Sequence, residues 1–237
     1  MSDWPETTQE RARQILVRYP NRRSAVMPLL YLAMAEDGYL TEEGMAKVAE
    51  WTGITAAQVL AVASFYTMYK REPAGKYLIS CCTSIACMLL GADEVIHAVE
   101  NEAGVPHGET DLEGLLAVEH AECLGACGGA PAVQVNYELI EGVSPDKARQ
   151  LVAWLRSARP EVISTDELQS LFGGVTSFDW AIKEEAGSVG PYPAFEPYGT
   201  AAPVAGKAAP PRPSNPECAT SSTSSSRVMA AATPAWT

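Results

Sequence analysis

The sequence predicts an α+β protein: a four-helix bundle, then a compact α/β domain, then a disordered C-terminal tail. Three observations carry that prediction. The first 70 residues place apolar positions at helical spacing between turn signals. Residues 76–156 alternate short apolar runs with helical ones, and from Ser188 onward the composition shifts to Pro and Ser.

In the first segment, residues 8–19 read as a polar helix with Ile15, Leu16 and Tyr19 along one side, closed by Pro20-Asn21. Ser24 is the expected N-cap of a second helix over 25–36, with Pro28 in or near its first turn, where a missing N–H is tolerated. Asp37-Gly38 turns the chain, and Thr41 caps a third helix that stops at Gly53. Thr55 begins a fourth, from 56 to about 68, with Val59, Val62, Ala63 and Tyr66 on one face. The Met and aromatic residues of these helices read as core packing.

After Arg71-Glu72-Pro73-Ala74-Gly75 the pattern changes. Residues 76–82 suit a buried strand, 88–101 a helix, and 115–121 a second strand. Residues 132–135 and 138–140 flank Asn136-Tyr137, the signature of a hairpin. Ser144 then caps a helix with Pro145 at N1, running to about 156. Strand, helix, strand, hairpin, helix in that order indicate helices packed on a sheet. A short helix over 166–172 and an amphipathic piece near Trp180 complete the folded part. Nine of the seventeen prolines and the run Ser221-Ser222-Thr223-Ser224-Ser225-Ser226 lie beyond Ser188. Such a segment buries too little apolar surface to offset its ordering entropy, so it is expected to be disordered or partner-bound. The expected organisation is a helical bundle over 1–72, a cysteine-bearing domain over 73–160, an extension over 161–187 and the tail over 188–237.

Composition narrows the function. A net charge of −12 argues against a nucleic-acid partner, which requires clustered Lys and Arg. No apolar run approaches the roughly 18 residues that span a bilayer, so no direct membrane insertion is expected. Met1-Ser2-Asp3-Trp4-Pro5-Glu6 resembles neither a secretory signal nor a transit peptide. A cytoplasmic protein is therefore expected, and a prokaryotic one if no presequence has been trimmed; in that compartment six cysteines point to metal or redox chemistry rather than disulfides.

Four cysteines stand out: Cys82-Thr-Ser-Ile-Ala-Cys87 and Cys123-Leu-Gly-Ala-Cys127, two pairs with 35 residues between them. Each pair follows a predicted strand in a loop of small residues. An iron–sulfur cluster needs four converging thiolates, and close pairs on two loops allow each pair to grip one iron. Gly125, Ala126, Gly128 and Gly129 let backbone N–H groups approach the sulfurs. Structural zinc in a Cys₄ site is the main competitor, although zinc ribbons favour two C-x-x-C knuckles and this chain has none. Unrelated buried cysteines are the third reading, and spacing alone leaves all three open.

Neighbours on a strand face opposite sides, so Cys81 and Cys82 do not easily share one site. The spacing assigns Cys82 to the cluster and Cys81 to the interior. Cys218, in the tail, reads as a free thiol. His97, His107 and His120 are isolated in sequence and read as ordinary surface or packed histidines; a Rieske-type centre needs two histidines in place of two cysteines. Glu122 is either a solvated acid or a tuning charge. A carboxylate about 8 Å from a cluster at effective ε near 20 contributes roughly 2 kcal/mol, or about 90 mV.

Taken in order, Ser24-Ala25-Val26-Met27-Pro28-Leu29-Leu30, Ala63-Ser64-Phe65-Tyr66-Thr67-Met68, the two cysteine blocks and Val133-Gln134-Val135-Asn136 resemble the 24-kDa, or E-type, family of subunits in respiratory NADH:quinone oxidoreductase (complex I). The resemblance covers about residues 8–157. It implies a thioredoxin-like [2Fe–2S] domain after the helical bundle, with Cys82, Cys87, Cys123 and Cys127 as cluster ligands. It also implies docking against the flavin- and NADH-binding partner (F-type, or 51-kDa type) and the peripheral arm, on the cytoplasmic face of a bacterial plasma membrane. Cys81 and the long tail depart from the family pattern. No G-x-G-x-x-G follows a strand and no P-loop is present, so the partner subunit is expected to hold FMN and NADH. The small diaphorase subunits of NAD-reducing hydrogenases and NAD-linked formate dehydrogenases share these ligands and form the alternative. A non-catalytic zinc module is the second alternative.

Overall fold

The structure, a computed structural model, describes residues 4–178 and 187–191. The predicted amphipathic piece near Trp180, Cys218 and all of the tail after Pro191 lie outside the described residues.

Four helices, α1 (Glu6–Leu16), α2 (Val26–Asp37), α3 (Glu42–Thr52) and α4 (Ala56–Phe65), open the chain. α2 is apolar nearly all round, so it takes the centre of their shared core, with Leu29, Leu30 and Leu32 fully buried. It packs against the other three helices. Thr41 Oγ1 accepts the Gly44 N–H at 2.9 Å, and Thr55 forms a capping box with Gln58. Gly53 ends α3 in the left-handed conformation, as predicted. Ser24 is not a cap: Asn21 caps a 3₁₀ turn over Arg22–Ala25, its side chain accepting the Arg23 N–H, and α2 continues from that turn. The first helix stops at Leu16 rather than Tyr19, and α4 stops at Phe65, leaving Tyr66 extended.

The second part is a five-stranded mixed sheet, in spatial order β2-β3-β1-β4-β5, with β1 (Tyr77–Cys82), β2 (Glu109–Thr110), β3 (Leu116–Ala121), β4 (Val133–Val135) and β5 (Glu138–Ile140). β1 and β3 are parallel, and every other pairing is antiparallel. The predicted single helix over 88–101 is two: α5 (Ile85–Leu89) and α6 (Ala92–Ala103), separated at Leu90-Gly91. Asn136 and Tyr137 both take positive φ, as the predicted hairpin requires. β2, only two residues long, has no period to reveal it. α7 (Pro145–Ala158) begins at its expected Ser144 cap, and α8 (Thr165–Phe172) at Ser164.

One face of the sheet buries Tyr77, Ile79, Cys81, Leu116, Val118, Val133 and Val135 against α6 and α7. The other carries Leu78, Ser80, Glu119 and Gln134, and the chain leaving α4 lies across it. Two polar ties fasten that crossing: Lys70 Nζ pairs with the Glu119 carboxylate, whose other oxygen accepts the Ser80 hydroxyl at 2.6 Å, and Tyr137 donates to the Met68 carbonyl at 3.4 Å. Asn136 pins the edge of β1, accepting the Leu78 N–H and donating to the Lys76 carbonyl, each at 2.9 Å. Among the described residues no single helix is long and apolar enough to cross a membrane; α3 and α4 reach that length only together, bent by 116°.

Candidate iron–sulfur site

The pleat of β1 separates its two adjacent thiols. Cys81 points into the core between sheet and helices, where burial pushes its thiol up to about 12, with the Glu100 carboxylate adding to the effect. Cys82 faces the opposite way, into a small separate apolar cluster with Cys87, Ala92, Ala126 and Ala132. The Cys82 N–H donates to the Ala132 carbonyl at 3.1 Å, which fixes the end of the strand. Cys82 is thus the last residue of β1 rather than part of the loop after it.

Cys87 sits on α5, one short turn away, and is 2% exposed. Burial is the main reason its thiol is pushed up to about 11. The backbone N–H of Ala132 opposes that shift, while the Cys82 thiol, in hydrogen-bond contact, and Cys127 reinforce it. The neutral form of the Cys87 thiol is favoured until a cation replaces its proton, the usual linkage between metal uptake and proton release.

The second pair lies on the loop between β3 and β4. Cys123 and Cys127 are exposed. Gly125, at φ 77°, turns its N–H back onto Cys123 Sγ at 3.4 Å. Cys127 starts a 3₁₀ turn ending at Gly129. Beneath that turn lies a residue to which no motif pointed, the buried Glu141. Its carboxylate accepts the Ser177 N–H at 3.1 Å and the Ser177 hydroxyl, which straps the segment after α8 against the loop. Glu122 is exposed to solvent.

The structure therefore sets Cys87 in contact with Cys82 and within electrostatic reach of Cys127, and ties Cys123 to its own loop. Among the described residues no three His, Cys, Asp or Glu side chains stand ready around a single metal ion. The donor chemistry fits an iron–sulfur group: four soft thiols without histidine, two on a buried ledge and two on an exposed lip. Backbone N–H groups of Ala132 and Gly125 are directed at two of the sulfurs.

The chain is 46% identical over 150 residues to the E-type chain of the NADH-quinone oxidoreductase of Mycobacterium tuberculosis, covering 63% of this chain and 60% of that one. It is 36% identical over 154 residues to NADH-quinone oxidoreductase subunit 2 of Thermus thermophilus, covering 64% and 85% respectively. The match thus spans about three-fifths of the mycobacterial relative's length. An NAD⁺-reducing [NiFe]-hydrogenase solved in the H₂-reduced state superposes with a TM-score of 0.52 at 18% identity, covering 62% of this chain and 25% of that one, a likeness of fold. The sequence model of the thioredoxin-like [2Fe–2S] ferredoxins matches residues 12–156, a span that contains both cysteine pairs and the sheet that carries them. The chain belongs to the thioredoxin-like [2Fe–2S] ferredoxin family.

Proposed function

We propose that this chain is the electron-carrier subunit of an NADH-quinone oxidoreductase, holding one [2Fe–2S] cluster through Cys82, Cys87, Cys123 and Cys127 and exchanging single electrons with FMN on an NADH-binding partner. The observation that carries the reading is that two cysteine pairs, distant in sequence, lie at the neighbouring ends of the parallel strands β1 and β3, with the Cys87 thiol in contact with Cys82 and sensing Cys127. When bound, such a cluster takes up and returns one electron at a time.

The chain's own residues have three tasks in this scheme. β1 and α5 hold Cys82 and Cys87 in an apolar ledge that keeps water from them. The Ala132 and Gly125 N–H groups stabilise negative charge on sulfur. The lip carrying Cys123 and Cys127 remains open for approach by a partner, and the neighbouring α5 presents Ile85 and Leu89 to solvent. Exposed apolar side chains beside a redox site suit docking against the flavin-binding partner. Through that partner the chain would sit on the cytoplasmic face of the membrane, as part of a peripheral arm.

Iron and acid-labile sulfide analysis of anaerobically purified full-length chain, with an EPR spectrum after reduction, tests the reading. Two irons, two sulfides and a signal integrating to one spin per chain are expected; colourless protein containing zinc instead would overturn it. Proteins that co-purify with the native chain separate a quinone-reducing complex from a soluble hydrogenase or formate dehydrogenase.

A further inference from the structure

The chain has three histidines, scattered over 24 residues of sequence, and the fold gathers all of them around one carboxylate. His97 and Glu100 share a face of α6, with His97 Nδ1 3.7 Å from Glu100 Oε2. His120, near the end of β3, places Nε2 3.4 Å from Glu100 Oε1. His107, on the loop after α6, donates its backbone N–H to the same oxygen at 3.2 Å, and its ring meets that of His120 edge-on with centroids 4.1 Å apart.

We propose that His97, His107, His120 and Glu100 form a second metal site, which takes a single divalent transition ion of the zinc type. Imidazole and carboxylate are borderline ligands suited to such an ion. Two ligand atoms bound tetrahedrally at about 2.0–2.1 Å stand roughly 3.4 Å apart, close to the His120–Glu100 separation. The four side chains come from a helix, a loop and a strand, so an ion would join three elements that the sequence keeps apart. As they stand, no three of these donors surround one point. The His97 side chain is 73% exposed, so little surrounding structure holds it in place. The consequence of filling the site reaches further than the surface. His120 lies three residues before Cys123 and pairs in register with Cys81, so an ion would stiffen the strand from which the exposed cysteine loop emerges.

The site is distinct from the four-cysteine site and stands whether or not that site binds iron. Zn²⁺ is titrated into the full chain labelled with ¹⁵N-histidine, and the ring nitrogens alone are read, so zinc taken up by thiols is not counted. The expected result is that His120 and at least one of His97 and His107 shift together along one binding curve. His120→Asn, with unchanged amide dispersion as evidence of folding, removes the coupled shift of the others. Glu100→Gln weakens binding about tenfold or more. Ring signals that do not move up to millimolar zinc, that move on separate curves, or that still move together in His120→Asn would overturn the proposal.

Discussion

Gly129→Ala adds one methyl group at the floor of the cysteine loop. A Cβ at Gly129 would fall 2.6 Å from Glu141 Oε1, 2.7 Å from its Cβ and 2.8 Å from its Cδ. The Cβ is the root of that side chain, so swinging the carboxylate away does not relieve the overlap. Glu141 is also buried and held by Ser177, and the Gly142 N–H donates to the Gly129 carbonyl at 2.5 Å. The backbone must therefore move. Overpacking of this kind costs about 1–3 kcal/mol, and loosening one hydrogen bond to the carboxylate adds about 1.5–3 kcal/mol. Together these give an expected loss of about 2.5–6 kcal/mol, seen as a lower urea midpoint at constant m. Gly125→Ala provides the comparison. Its Cβ would meet nothing within 4 Å, so only the left-handed backbone at φ 77° is penalised, by about 1–2 kcal/mol. Iron and sulfide counts on both variants report whether displacing the loop releases the metal. A parental midpoint for Gly129→Ala, or a larger loss for Gly125→Ala than for Gly129→Ala, would refute the argument that Glu141 braces the loop.

Serine at Cys82, Cys87, Cys123 or Cys127 is expected to abolish or severely deplete iron binding, whereas Cys81→Ser and Cys218→Ser keep it. Cys81→Ser should still lose about 1–3 kcal/mol of stability, because it places a hydroxyl in the apolar core; iron lost only in Cys81→Ser would reverse the register assigned to β1. Glu122→Gln is expected to shift the reduction potential by only about 20 mV: for an exposed carboxylate about 8 Å away, water screens the interaction to roughly 0.5 kcal/mol. A shift near 90 mV in the assembled complex would mean that a partner buries this acid. Glu119→Gln leaves the Lys70 ammonium, 17% exposed, without its counter-charge, and should lower stability by about 1–3 kcal/mol in urea unfolding.

The helix caps at Thr41, Thr55 and Ser144 are legible because each is a local event, with a side-chain oxygen, a backbone N–H two or three residues on, and an apolar run behind. The hairpin at Asn136-Tyr137 is legible for a similar reason. Ser24 misleads because Asn21, three residues earlier, offers a better acceptor and the chain enters α2 through a 3₁₀ turn. The break at Leu90-Gly91 is hidden because the apolar period runs through it unbroken, although glycine there adopts positive φ. In the site, the cysteine spacing and the opposed faces of Cys81 and Cys82 can be read from alternation alone. Glu141, Ala132 and the meeting of the three histidines cannot. Their roles depend on which strands pair and which helix covers them, and no local pattern encodes that.

All six residues of β1 are buried, so inside-versus-outside polarity says nothing about which way the strand should lie. A shift of one step would exchange Leu78 for Ile79 and Cys82 for Cys81, apolar for apolar and thiol for thiol. What distinguishes the two alignments is the hydroxyl of Ser80, which has its acceptor only on Glu119, and the amide of Asn136, which grips the strand at Leu78 and Lys76. Three polar side chains thus decide which of two chemically identical neighbours faces Cys87 and which is turned into the core.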